Sequence, residues 1–257
     1  MLNAIRRVAG TVALCLIATG AAVAQTPRSY AVLSLVGDKL TMVSPRMTTG
    51  SHADRNLRNE IATSDDGLDV LAVQAAAQAL RQLQPGATPA LFTSRDANLF
   101  AMQEALVESD DLPAEFGQSL KSLLSSANAT HFVLITKFRA ETQMRLHGSA
   151  VGNGRLSGLG FYVDRHMGLQ NVETGVRTTG FFSPYVYMRM TLIDAATLQP
   201  VRRWTARATQ VISSRPGAIE SAWTQYAAAQ KTQLLSELLQ RSVSEGVEAL
   251  LAAEASR

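Results

Sequence analysis

Three groups of polar residues have the types and spacing that chemistry requires. Asp164 and His166 are two residues apart, so a strand would present both side chains on one face, where they could bind a metal ion or transfer a proton. His131 stands at the start of an apolar segment and could act as a metal ligand or a base. The acidic run 108–111 lacks the glycine-containing loop of a calcium site, so we expect a solvated loop there.

The glycine-rich run 152–160 has the composition of a phosphate-binding loop but not its spacing. Its glycines do not form G-x-G-x-x-G, no lysine with serine or threonine follows, and residues 161–164 favour an extended strand over a helix. Ser157 lacks the flanking glycine of a nucleophile elbow, because Arg155 stands at that position. We therefore predict a flexible or hairpin-forming loop that binds no phosphate.

Other enzyme signatures are also missing from the sequence. It contains no H-E-x-x-H, and no serine is followed three residues later by lysine. We predict a protein with no catalytic residues, no cofactor and no metal ligands. The alternative is a hydrolase of unknown substrate that uses His131 or the pair of Asp164 and His166.

The N-terminal residues have the layout of a secretory leader. Arg6 and Arg7 precede an apolar run, and residues 22–24 (Ala-Val-Ala) supply the small side chains of a cleavage site. Cys15 is the single cysteine and lies inside this segment, so a mature chain would have no disulfide and no thiol chemistry. We predict a signal peptide over residues 1–24, a periplasmic or secreted location, and no transmembrane helix after the leader is removed.

The charge of the mature chain is balanced in total but uneven along its length. Removing Arg6 and Arg7 from the 24 basic residues leaves 22 against 21 acidic residues, a net charge of +1, which gives no argument for nucleic acid binding. Residues 130–215 hold 11 Lys and Arg against 4 Asp and Glu. This surplus predicts a basic surface for an anionic partner, unless the acidic flanks neutralise it in the fold.

A β-hairpin over residues 185–212 organises the predicted fold. Apolar and polar residues alternate along its first strand, which predicts a half-buried strand. The contiguous apolar residues of segment 130–138 predict a central strand. Further strands are predicted at 29–36, 39–43 and 88–93, and the first two of these are expected to pair as a hairpin. The predicted helices start near 64, 98, 113 and 216, and residues 44–63 are a predicted loop.

These elements predict the α/β (α+β) fold class, with a single mixed β-sheet flanked by helices. The expected domain covers residues 25–257 and contains a glycine-rich β insertion at 148–184. The last helix would extend to about Ala253 as a long amphipathic helix, with a bend or break near 227–229 or at Gly246.

Three passages resemble a known α/β domain. Residues 30–33 (Tyr-Ala-Val-Leu) are similar to its opening strand, residues 129–136 (Ala-Thr-His-Phe-Val-Leu-Ile-Thr) to its apolar central strand, and residues 190–195 (Met-Thr-Leu-Ile-Asp-Ala), with Val201 and Trp204, to its hairpin. On these residues the chain resembles the domain shared by the curli secretion channel CsgG, the N-terminal domain of TolB and the lipoprotein activators of penicillin-binding proteins. The resemblance implies a periplasmic pore, docking module or enzyme activator, and it carries over no active site.

The leading functional prediction is a non-catalytic binding or accessory protein of the cell envelope. Segment 148–184 carries aromatic and basic side chains, which are suited to binding surfaces. We expect it to dock an envelope protein or an anionic envelope surface, with contacts from Arg155, Phe161, Tyr162, Arg165, Phe181 and Phe182. Two alternatives stay open: a membrane-associated or pore-forming secretion component, and a structural hairpin that packs on its own domain.

Overall fold

The computed structural model describes residues 28–46, 56–107, 114–146, 149–170, 175, 177–214 and 221–252. Its strands are β1 Tyr30–Ser34, β2 Lys39–Ser44, β3 Leu57–Ala62, β4 Ala90–Thr93, β5 His131–Lys137, β6 Arg139–Glu141, β7 Met144–Leu146, β8 Ser149–Val151, β9 Arg155–Gln170, β10 Arg177–Asp194, β11 Pro200–Thr209 and β12 Ile212–Ser213. Its helices are α1 Gly67–Leu83, α2 Ala97–Leu106, α3 Ala114–Ala127, α4 Ala222–Gln225 and α5 Ala228–Leu251. The predicted leader and the acidic run lie outside the described residues.

The predicted hairpin lies at the centre of a mixed β-sheet flanked by helices, which confirms the α/β (α+β) class. β10 pairs antiparallel with β11, from Tyr185 opposite Thr209 to Leu192 opposite Arg202. On its other side β10 pairs antiparallel with β9 through its first half and with β5 through its second half. The sheet therefore forks along β10, because β9 and β5 occupy the same side of that strand in succession.

Each branch of the fork adds two more strands. One branch runs β9, β2 and β3, with β2 parallel to β9 and antiparallel to β3. The other runs β5, β1 and β4, all parallel. The chain crosses between the branches at residues 35–38, so the predicted hairpin of β1 with β2 is wrong. Every residue of β1 is buried, as expected for a strand between two parallel neighbours.

β3 also departs from the sequence-based prediction, because residues 44–63 were expected to form a loop. The strand pairs with β2 along its whole length, and each of its six residues is exposed. It therefore lacks the buried, apolar face that marks a strand in a sequence.

Helices α1 and α5 cover one face of the sheet, here called the front face. Their shared core with the strands includes Val73, Val133, Met190 and Leu239. The predicted break of the last helix is confirmed, because Tyr226 and the following residue are extended and separate α4 from α5. None of the helices in the described residues is both long enough and apolar enough to cross a membrane.

The opposite, back face is covered in two separate places. Helices α2 and α3 pack over β1 and β5 around Phe116 and Phe132. The hairpin of β7 and β8 packs over β9 and β10 around Met144 and Tyr187. Residues 185–193 of β10 are consequently buried on both faces, whereas the alternating sequence predicted a half-buried strand.

The glycine-rich segment 148–184 has β structure in its described residues, as predicted. It forms β8, β9 and the first part of β10, and β9 pairs with β2, β6 and β10. Strands β9 and β10 of the segment are therefore integral parts of the main sheet, whereas β8 pairs with β7 in a separate two-stranded sheet. The two longest strands of the segment cannot leave without breaking the branch that holds β2 and β3.

Candidate binding cleft

A cleft of about 320 Å³ opens on the back face at the fork of the sheet. It lies between the C-terminal end of α2 and the strands β2, β3, β6 and β9. The carboxyl end of β5 reaches it, and such ends are the usual ligand sites of open α/β sheets. Its lining residues are Lys39, Thr41, Val43, Arg58, Glu60, Glu104, Val107, Lys137, Arg139, Ser157, Gly158, Leu159 and Tyr185.

A chain of ion pairs fixes the charged side chains of the cleft. The Nζ atom of Lys137 lies 2.7 Å from Oδ1 of Asp38 and 2.9 Å from Oε1 of Glu104. The same Glu104 oxygen lies 3.1 Å from Nζ of Lys39, which in turn lies 3.0 Å from Oε2 of Glu60. Lys137 is almost fully buried, whereas Glu60 and Glu104 are about half exposed. The network thus joins a buried lysine to the surface.

The pKa shifts in this network favour the charged forms. Burial by itself would raise the pKa of Glu104, but hydrogen bonds from Lys137 and Lys39 outweigh it and lower that pKa. Burial likewise acts to lower the pKa of Lys39, and hydrogen bonds to Glu60 and Glu104 outweigh it and raise that pKa. Glu104 and Lys39 therefore stay ionised near neutral pH, which suits electrostatic binding better than proton transfer.

Two glycines of the glycine-rich run make room for the floor of the cleft. Gly158 has φ +65°, and a Cβ atom there would lie 3.2 Å from Cδ of Lys137. A Cβ atom on Gly160 would clash with the carbonyl oxygen of Thr41 and lie 2.7 Å from the hydroxyl of Tyr185. The glycines therefore allow the lysine and the tyrosine to lie flat against β9.

The floor of the cleft is held by neutral hydrogen bonds. The Tyr185 hydroxyl donates to the carbonyl oxygen of Thr41 at 3.1 Å, and burial raises the pKa of this tyrosine, so it stays protonated. The side chain of Gln103 joins α2 to the sheet, because its amide donates to the Leu35 carbonyl and its oxygen accepts from the Lys137 amide. These contacts hold the cleft walls in place without a ligand.

A second cavity, of about 260 Å³, lies where β1 and β4 end. Asp69 of α1 is buried beside it and accepts three hydrogen bonds on Oδ1, from the Ser34 hydroxyl at 2.6 Å and the amides of Val36 and Gly37 at 2.9 and 3.1 Å. Burial raises the pKa of Asp69 to about 6, although these hydrogen bonds oppose the shift. Asp69 therefore anchors the crossover that positions Asp38.

The structure separates the six predicted partner contacts into two groups. The four aromatic residues belong to the core, with exposed fractions of 8% for Phe161, 0% for Tyr162, 1% for Phe181 and 0% for Phe182. A buried side chain offers no surface, so these four residues do not fit the predicted docking role. Phe161 and Phe182 pack instead against Trp223, with ring centroids 5.3 and 5.7 Å away, while Tyr162 stacks on Phe181.

The two predicted arginine contacts are exposed, and one adjoins the cleft. Arg155 pairs with Glu141, Nε to Oε1 at 3.1 Å, and its carbonyl oxygen accepts a hydrogen bond from Arg58 at 3.1 Å. Arg58 lines the cleft, so Arg155 lies at the rim. Arg165 lies further along β9 and does not line the cleft.

The alternative catalytic residues make local structural contacts. Oδ1 of Asp164 accepts the backbone amides of His166 and Met167, each at 2.9 Å, which is an Asx-type turn. His131 has Nδ1 3.0 Å from the Thr130 hydroxyl and packs near Tyr30. Within the described ranges, no three His, Cys, Asp or Glu residues are grouped so that they could hold a metal ion.

Sequence reasoning missed the residues that define the cleft. Lys39 and Glu60 belong to β2 and to the unpredicted β3, and Glu104 belongs to α2. Lys137 was the available signal, because a lysine at the end of a strand with four contiguous apolar residues must find a buried partner or reach water. The sequence gives no means of pairing it with Asp38 and Glu104, which lie on other elements.

Comparison with known proteins gives distant structural likenesses. No protein-family model and no curated protein matches the chain. A PelC dodecamer from Paraburkholderia phytofirmans is 13% identical with TM-score 0.29, over 87% of this chain and 84% of that chain. A putative neuraminyllactose-binding hemagglutinin homolog from Helicobacter pylori is 5% identical with TM-score 0.37, over 85% and 82%. The hypothetical protein CT253 from Chlamydia trachomatis is 11% identical with TM-score 0.31, over 86% and 99%. All three TM-scores are too low to support a functional argument.

Proposed function

We propose that this chain is an exported, non-catalytic binding protein of the cell envelope. In this proposal the cleft, with Arg155 at its rim, binds an acidic segment of another envelope protein. The observation that carries the proposal is the lining of the cleft. It has four cationic side chains, Lys39, Arg58, Lys137 and Arg139, against two carboxylates. The leader-like N-terminus and the basic character of residues 130–215 support the compartment and the sign of the ligand.

Preorganisation favours binding at this position. The ion pairs hold charged groups from β2, β3, α2 and β5 around one opening, so a ligand need not order them. Glu60 and Glu104 are the most exposed members of the network. A carboxylate of the ligand would therefore compete with them for Lys39 in a cleft that Arg58 also lines.

An acidic peptide suits the cleft better than a flat membrane surface. The volume of the cleft is about 320 Å³, which can hold a few side chains. Its lysines lie inside the cleft rather than on a projecting surface that could contact a flat membrane. The alternative of pore formation by segment 148–184 would require β9 and β10 to leave the sheet that they centre. The sequence resemblance to the CsgG, TolB and activator domains supports this proposal only through the periplasmic location that it implies.

The test is capture of the tagged protein from crosslinked intact envelopes. Variant Arg58→Gln with Arg139→Gln removes two cleft cations, and variant Arg165→Gln with Arg203→Gln removes two basic residues that do not line the cleft. We expect the first variant to lose a partner that the wild type and the second variant retain, with equal melting temperatures. If the cleft variant retains that partner, the cleft assignment is refuted. If the variant retains the partner but loses binding to anionic lipid vesicles, the cleft is assigned to lipid headgroups.

A further inference from the structure

The outer edge of β3, on the side away from β2, has the features of a self-pairing strand. Among the described strands β3 pairs with β2 alone, so its outer edge presents backbone groups that β2 does not use. Leu57 and Ile61 are 55% and 49% exposed. An exposed edge strand with large apolar side chains is a template for pairing with another strand.

The hydrogen-bond pattern shows which backbone groups face outward. The amide of Thr63 donates to the carbonyl of Asp38 at 3.0 Å, and the residues of β3 and β2 continue opposite one another in this register. Because bonded and non-bonded pairs alternate in antiparallel strands, Leu57, Asn59 and Ile61 bond to β2. The backbone groups of Arg58, Glu60 and Ala62 therefore point away from β2, to the outer edge of β3.

Charge selects one pairing register for two copies of this edge. Outward-facing residues must oppose one another, so the central registers place Arg58 opposite Arg58, Glu60 opposite Glu60, or Arg58 opposite Glu60. The first two oppose like charges, which is destabilising, whereas the third forms two symmetric pairs of opposite charge. We propose that β3 pairs antiparallel with β3 of a second copy, with Asn59 on the two-fold axis. The result is a closed dimer with a sheet continuous across both chains.

The same register also brings apolar side chains together. Leu57 of one copy lies opposite Ile61 of the other, on the face that also carries Leu40 and Met42 of β2. Those β2 residues pack at the margin of the front core. Pairing thus extends the front apolar face across the dimer and covers the two most exposed apolar residues of β3.

Charge exchange between chains tests this register by sedimentation of the mature protein. Arg58→Glu gives an edge with two acidic residues, and Glu60→Arg gives one with two basic residues. We expect each variant alone to dimerise at least about tenfold more weakly than the wild type. An equimolar mixture should form a heterodimer, because each acidic residue then opposes a basic one. The double variant with both changes should dimerise like the wild type.

Controls separate this surface from the cleft, which Arg58 and Glu60 also line. Ala62→Pro removes an outward amide and leaves every cleft side chain in place, and it should also weaken the dimer. Arg165→Glu changes an exposed charge on another strand and should leave the mass unchanged. A wild-type monomer at about 0.1 mM overturns the proposal. A dimer that both single-charge variants retain, or a mixture that forms no heterodimer, also overturns it.

Discussion

The buried carboxyl group of Asp69, which anchors the crossover at residues 35–38, makes the free energy of unfolding depend on pH in a way that can be tested quantitatively. Its pKa is raised from an ordinary 3.8 to about 6, mainly because the side chain is buried. The folded state therefore binds a proton that the unfolded state has lost between these two pH values. The sign follows from linkage: the free energy of unfolding falls as the pH rises through this window, and the loss is complete at about pH 7, where the folded state has also lost the proton.

The magnitude follows from the size of the shift. The rise of this pKa from 3.8 to about 6 corresponds to about 3 kcal/mol of unfolding free energy in total, of which about 2.4 kcal/mol is lost between pH 4 and pH 7. Asp69→Asn removes the titration but keeps an oxygen that accepts from Ser34, Val36 and Gly37. Asp69 lines the second cavity, so the substitution is made at the wall of an open space. The variant should therefore gain stability relative to the wild type as the pH rises.

The assay is urea unfolding followed by tryptophan fluorescence from pH 4 to pH 8. Trp204 and Trp223 are the two tryptophans, and both pack at the front core. The readout is the difference in unfolding free energy between Asp69→Asn and the wild type at each pH, because other titrating groups cancel in it. A difference that is constant over this range refutes the argument. A difference that moves in the wild type's favour as the pH rises shows that the three hydrogen bonds outweigh burial.

Three further predictions use the same unfolding assay. Gly160→Ala should lower the free energy of unfolding by about 1–3 kcal/mol, since its Cβ would meet the Thr41 carbonyl, whereas Gly168→Ala, with open space around it, should change it little. Lys137→Met should lower the free energy of unfolding by about 2 kcal/mol, which is less than the loss expected from breaking a fully buried ion pair, because Glu104 is partly exposed. Equal stability of the variant and the wild type would contradict a structural role for the network. Phe182→Ala should lower the free energy of unfolding by about 3–5 kcal/mol, because the side chain is fully buried. A small loss would mean that Phe182 is not a core residue and is again a candidate for partner contact.

The sequence alone determined the local elements and the sheet's central hairpin. Alternation of apolar and polar residues from Tyr185 onward is a local property, and so is the contiguous apolar run of β5, and both strands lie where these patterns predict. The starts of α1, α2 and α3 also followed, to within about three residues, from periodicity and from local breakers, whereas the start predicted near 216 lies outside the described residues. The mixed α/β class is the consequence of these elements, since their apolar faces have to be buried against one another.

Strand pairing and the cleft were decided by tertiary structure. β1 and β2 are adjacent in sequence and look like a hairpin, yet β1 pairs in parallel with β5 and β4 and is buried along its whole length, as strands of parallel sheets are. The aromatic residues of β9 and β10 were predicted to belong to a binding loop, because the glycines among them interrupt the alternation of apolar and polar residues that marks a strand. In the fold they fill cores that only the covering helices and the β7–β8 hairpin create.

The charged cleft shows the same limit most clearly. Asp38, Lys39, Glu60, Glu104 and Lys137 are up to 99 residues apart in the chain, and each taken alone is an ordinary polar residue. Their ion pairs exist because the sheet forks at β10 and brings the ends of β5 and α2 beside β2 and β3. A contact between distant residues depends on topology, and no local pattern in this sequence encodes the fork.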